Sequence, residues 1–103
     1  MTGNYGLSPR AKRDVYEIWE YTAERWGIDQ AEIYIRQMWQ NIDAVANKPT
    51  VGQKCSEVRE GYYKFPSGAH FIFYKVIEGG VDVVRILHER MNFEAHFDPS
   101  KVG

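Results

Sequence analysis

With 103 residues and 44% hydrophobic composition, the chain has apolar material for one modest core and not for two, so a single domain over 1–103 is expected. Thirteen Lys and Arg stand against fourteen Asp and Glu, split six to seven over residues 1–50 and seven to seven over the rest. An element that grips nucleic acid through its phosphates normally carries a positive excess, so this even balance weighs against that class.

Cys55 is the only cysteine, which excludes an internal disulfide and leaves too few soft ligands for a structural zinc site. The opening "MTGNYGLSPRAKR" lacks the apolar core of a secretory signal, and no apolar run nears the roughly 20 residues that span a bilayer. A cytoplasmic protein is expected.

In chain order, "NYGLS" reads as a short strand ending at Ser8-Pro9, a strong helix start: Ser8 caps free N–H groups and Pro9 loses nothing at the first helical position. From there Ala11, Val15, Ile18, Trp19, Thr22 and Trp26 recur every three or four residues, giving an amphipathic helix that stops at Gly27. Asp29 and Glu32 resemble a capping box for a second helix. Its inward positions are Ala31, Tyr34, Ile35, Met38, Ile42 and Val45, and it should end near Asn47, before Pro49. Two long helices joined by about two residues must fold into an antiparallel hairpin.

After a loop from Pro49 to about Val58, the period becomes that of strands: "GYYKF", "AHFIFYKVI" and "VDVVRILH", with turns at Pro66-Ser67-Gly68 and Glu78-Gly79-Gly80. The expected fold is α+β: an N-terminal strand, a two-helix hairpin packed on a three- to four-stranded antiparallel sheet, and a short C-terminal tail or helix. Alternation places Val84 and Ile86 toward the helices. Both sheet faces read as apolar, so one should hold the hairpin while the other awaits a partner.

Little of the chemistry points to an enzyme. His70, His88 and His96 have no metal-ligand spacing, the carboxylates flank turns, and no glycine-rich phosphate loop follows a strand, so neither metal nor cofactor is expected. One local basic set remains on the strands, namely Arg59, Lys64, Arg85, His88 and Arg90. It is diluted by Glu60, Glu78, Asp82 and Glu89.

Two stretches carry a resemblance. "REGYYKFPSGAHFIFYKV" and "VVRILHERM" are similar to the patterns R-x-G-Y-x-K-x-x-x-G-x-H-x-I-F-Y-x-V and V-x-R-I-L-H-x-R-M of ParE toxins of type II toxin–antitoxin modules, in the RelE/ParE superfamily. With "LSPRAKRDVYEIWEYTAERWG", the likeness runs from about Tyr5 to Phe93. It implies a non-enzymatic inhibitor that binds DNA gyrase and traps the cleaved DNA complex. It also implies neutralisation by a ParD-like antitoxin, with two toxins on an antitoxin dimer.

On this basis the expected gyrase-binding residues are Arg85, His88, Arg90, Met91 and Phe93. The expected antitoxin-binding residues are Trp19, Trp26, Tyr34, Trp39, Tyr62, Lys64, Phe71, Phe73 and Arg85. The alternative is a RelE-like ribosome-dependent mRNA endonuclease. Such nucleases resemble one another in a basic cleft and a late tyrosine, whereas this chain has Phe71, Phe73, Phe93 and Phe97 and no tyrosine after Tyr74.

Overall fold

The computed structural model describes residues 3–55 and 61–90. Five strands and two helices follow in the order β1 (Asn4–Leu7), α1 (Pro9–Trp26), α2 (Ile28–Asn47), β2 (Gln53–Lys54), β3 (Tyr62–Ser67), β4 (His70–Ile77) and β5 (Gly80–His88), with a 3-10 turn at Pro49–Val51. The expected tail lies outside the described residues.

Ser8 starts α1 as its chemistry requires, its hydroxyl oxygen accepting from the Ala11 N–H at 3.0 Å. The second cap differs from expectation. Gly27, at φ 94°, ends α1 and begins α2 by itself, and no side chain caps α2. Only glycine adopts that backbone without penalty, so the reversal needs one residue and Asp29 falls inside the first turn of α2. Its negative charge still complements the positive end of the helix.

The sheet is larger than expected and mixed, with strand order β1-β5-β4-β3-β2. β3, β4 and β5 form the expected antiparallel meander. β1 adds to the outer edge of β5 in parallel, from Asn4 against Gly80 to Leu7 against Val83, and β2 comes from the segment read as loop. Pro66 and Ser67 belong to β3 rather than to a turn, because the reversal is confined to Gly68 and Ala69.

The hairpin covers one face. Ala11, Ile18, Met38, Ile42, Val45, Ile72, Tyr74, Val81, Val83 and Ile86 close into the main core there. Tyr74 is buried with its hydroxyl donating to the Pro49 carbonyl at 2.7 Å and accepting from the Gly52 N–H at 3.1 Å. Burial raises its pKa.

Two expectations about the sheet fail. Val84 and Ile86 do not share a face, because the pairing jumps from Tyr74–Val83 to Phe73–Arg85, leaving Val84 as an extra residue. That bulge resets the alternation, so Ile86 joins the main core while Val84 packs on the far side. Nor does the far face stand open: Cys55, Phe73 and Leu87 form a second buried cluster, at 0%, 3% and 3% exposure.

Candidate protein-binding groove

β1 is short and pairs only with Gly80–Val83, so the outer edge of β5 beyond Val83 needs other partners. α1 supplies them. The Ser8 hydroxyl donates to the Val84 carbonyl at 2.8 Å, and the Asp14 carboxylate accepts from the Ile86 N–H at 2.9 Å. Asp14 also takes two bonds from Arg85, Nε at 2.8 Å and Nη2 at 3.1 Å. This forked pair is only slightly solvated, with side-chain exposures of 14% for Arg85 and 9% for Asp14.

With α1 fixed against the sheet edge, two cavities open between it and the ends of β4 and β5. One, of about 400 Å³, is lined by Tyr21, Thr22, Trp26, Gln30, Tyr34, Ala69, His70 and His88. The other, of about 730 Å³, is lined from α1 by Arg10, Asp14, Glu17, Ile18 and Tyr21 and from the sheet by His70, Arg85–His88 and Arg90. Tyr21, His70 and His88 belong to both, so the two form one groove.

The narrow half has a floor of two imidazoles. His70 and His88 face each other across the strands, with ring centroids 5.3 Å apart and nearly perpendicular. The Tyr34 hydroxyl lies 2.6 Å from His70 Nδ1, accepts from the Ala69 N–H at 2.9 Å and lies 3.2 Å from the Ser67 carbonyl, clamping the β3–β4 turn to α2. Burial, assisted by His88, pushes the His70 pKa down to about 4, so that imidazole is neutral at pH 7. Burial also raises the Tyr34 pKa. Among the described residues no group of three or more His, Cys, Asp and Glu is placed to hold a metal ion, and no helix is long and apolar enough to cross a membrane.

The residues expected to bind gyrase and those expected to bind antitoxin partly converge here. Arg85, His88, Arg90, Trp26 and Tyr34 line the groove, although Arg85 is spent on Asp14. Met91 and Phe93 lie outside the described residues, as does Arg59. Trp39 sits elsewhere, 6.2 Å from the Tyr5 ring, and Trp19 is half-buried on α1. Tyr62, Lys64, Phe71 and Phe73 occupy the far face, with the Lys64 ammonium 4.8 Å from the Phe71 ring centre. Sequence reading passed over Asp14, Tyr21 and Arg10. Asp14 did leave a signal, since it stands three residues after Ala11 and four before Ile18, a charge inside the apolar stripe of α1.

A two-helix hairpin on a mixed sheet is a fold that solved structures share. It is similar to a chain of the "Chromosomal ParDE TA system from P. aeruginosa", with a TM-score of 0.72 over 84% of this chain and 95% of that one at 11% identity. The family model described as "ParE toxin of type II toxin-antitoxin system, parDE" matches residues 5–93. Toxin ParE1 of Mycobacterium tuberculosis is 47% identical over 95 residues, covering 91% of this chain and 97% of the relative. Toxin ParE1 of Caulobacter vibrioides is 42% identical over 92 residues, covering 89% and 95%. The chain belongs to the ParE toxin family of type II toxin–antitoxin systems.

Proposed function

We propose that this toxin acts in the cytoplasm as a protein inhibitor, without enzymatic chemistry of its own, holding DNA gyrase in its cleaved-DNA complex until a ParD-like antitoxin neutralises it. Two toxins on one antitoxin dimer is the proposed assembly. Within the family, the observation that carries inhibition over mRNA cleavage is the state of the groove's would-be catalytic groups. Phosphoryl chemistry needs a preorganised cation to meet developing charge; the ordered guanidinium of the groove, Arg85, is already neutralised by a forked bond to Asp14, and the other two, Arg10 and Arg90, are exposed side chains on opposite walls. Burial keeps His70 uncharged at pH 7, so it is no general acid there, and its Nδ1 is already engaged by the Tyr34 hydroxyl at 2.6 Å. The groove therefore favours holding a protein surface over stabilising a scissile phosphate. His88 and Arg90 are the proposed gyrase contacts among the described residues, with Met91 and Phe93 continuing the same segment. Arg85 serves them by fixing β5 against α1.

The deciding experiment is a supercoiling assay with purified toxin, gyrase and plasmid, run beside a translation extract. Linear DNA that accumulates only when gyrase is present is the expected outcome. Specific ribosome-dependent mRNA cleavage, with supercoiling untouched, would reverse the assignment.

A further inference from the structure

The two imidazoles on the groove floor have their hydrogens placed by their neighbours. The Arg90 N–H donates to His88 Nδ1 at 3.1 Å, and an imidazole that accepts at Nδ1 carries its hydrogen on Nε2. At His70 the contact with the Tyr34 hydroxyl is 2.6 Å, shorter than the roughly 2.7–3.2 Å of N–H donors and within the roughly 2.5–3.0 Å of hydroxyl donors. The hydroxyl's other candidate acceptor, the Ser67 carbonyl, is farther away at 3.2 Å. Tyr34 therefore donates to His70 while accepting from the Ala69 N–H at 2.9 Å, and His70 also keeps its hydrogen on Nε2.

Among the described residues neither Nε2 atom has a partner, and no buried side-chain nitrogen or oxygen is left without one. Both Nε2–H groups are thus open to solvent, and the space that both rings line is the groove. With ring centroids 5.3 Å apart, the two donors share one spot on its floor. Around that spot the narrower cavity is aromatic. Tyr21, Trp26 and Tyr34 line it, and its volume of about 400 Å³ falls within the roughly 300–1,000 Å³ of ordinary ligand pockets. The Tyr34 hydroxyl is spent on the clamp, and the Thr22 hydroxyl donates to the Ile18 carbonyl at 2.7 Å. Of the charges in the adjoining wider cavity, Arg85 and Asp14 cancel each other, which leaves Arg10 and Arg90 against Glu17.

We infer that the narrower cavity is a binding site for a free small aromatic acid, its ring held among Tyr21, Trp26 and Tyr34 and its carboxylate accepting from the Nε2–H groups of His70 and His88. A cation would meet two donors and no acceptor on this floor, and an aliphatic acid would leave the ring walls unused. The site stands on this geometry alone. Its consequence rests on the reading of His88 as a gyrase contact: a bound acid covers that residue, so the pocket is where a small molecule holds the toxin off its target.

The test is calorimetric titration of the full chain with 2-naphthoate, and with 2-naphthalenemethanol as the uncharged counterpart. The acid should bind with a Kd of about 1 mM or tighter and be preferred by about tenfold or more. Trp26→Ala should weaken both probes about tenfold, whereas His88→Phe, which keeps a ring but removes the donor, should cut the preference about fivefold. Phe71→Ala on the far face should leave both within about twofold. Each variant is first checked for an unchanged melting curve. Nitrogen-15 spectra of the wild-type histidines test the floor without any substitution: both rings should carry hydrogen on Nε2 at neutral pH, and an Nδ1–H form at either ring overturns the paired donors. No binding at several times the expected Kd, equal affinity for acid and alcohol, or binding that survives both Trp26→Ala and His88→Phe also overturns the site. Saturating 2-naphthoate should relieve inhibition of gyrase by the toxin, against a control of gyrase with the probe alone. Inhibition that persists overturns the consequence and leaves the site standing, and toxin without effect on gyrase overturns the gyrase reading and that consequence together.

Discussion

Replacing Asp14 by Ala is the sharpest perturbation the structure offers. The carboxylate accepts three bonds, two from the Arg85 guanidinium at 2.8 and 3.1 Å and one from the Ile86 N–H at 2.9 Å. Removing it strands a mostly buried charge, which costs about 3–5 kcal/mol when burial is complete. It also orphans a buried backbone donor, at about 1–3 kcal/mol. Arg85 keeps some solvent, at 14% side-chain exposure, so the charge contribution belongs at or below the low end and the whole change at about 3 kcal/mol. For a domain of this size that is a fall in Tm of roughly 12–24 °C. Urea unfolding followed by the fluorescence of Trp19, Trp26 and Trp39 measures it. A cycle with Arg85→Met isolates the pair, because the double variant no longer strands a charge and should recover part of the loss. A cost for Asp14→Ala below about 1 kcal/mol, with no coupling to Arg85, is what a solvated surface pair gives and would refute the latch between α1 and β5.

His70 has a folded pKa of about 4 against 6.5 when unfolded, so between those values the unfolded chain binds a proton that the folded chain refuses. Stability should therefore fall as pH drops from about 6.5 toward 4, more steeply in wild type than in His70→Gln, and parallel melting curves across that window would contradict it. Gly68 sits at φ 60° with the Tyr34 ring 2.6 Å from where a Cβ would stand, so Gly68→Ala should lower stability by about 1–3 kcal/mol in thermal melts. Tyr34→Phe leaves the Ala69 N–H and His70 without their shared partner, with an expected loss of about 1–3 kcal/mol and faster amide exchange at Ala69.

Much of this architecture was legible from periodicity. The spacing from Ala11 to Thr22 and from Ala31 to Val45 matches the buried faces of α1 and α2, and the alternation in "FIFY" separates Ile72 and Tyr74 from Phe71 and Phe73 as the sheet does. Pairings between distant residues left no such trace. Nothing local in "NYGL" reveals that it runs parallel to β5, and Asp14 meets Arg85 across 71 positions of sequence. A strict alternation also cannot reveal a bulge, which is why Val84 was assigned to the wrong face. The groove was half-visible: His88, Arg90, Trp26 and Tyr34 stand out in the sequence as binding residues for separate partners, but their common location follows from the packing of α1 and α2 beside the ends of β4 and β5.

The placement of β1 bears on when the protein becomes harmful during its own synthesis. Residues 4–7 find their strand partner only at Gly80–Val83, and one wall of the groove comes from Arg10–Trp26 while the other ends at Arg90. A nascent chain can form its helical hairpin once Asn47 has emerged. At about 5–20 residues per second, β5 then follows roughly 2–8 s later. During that interval the hairpin's apolar stripe has no sheet to cover it, and the groove has only the wall that α1 supplies. On the reading proposed above, the chain therefore gains the surface that meets its target only as its last described strand docks, whatever has already folded before it.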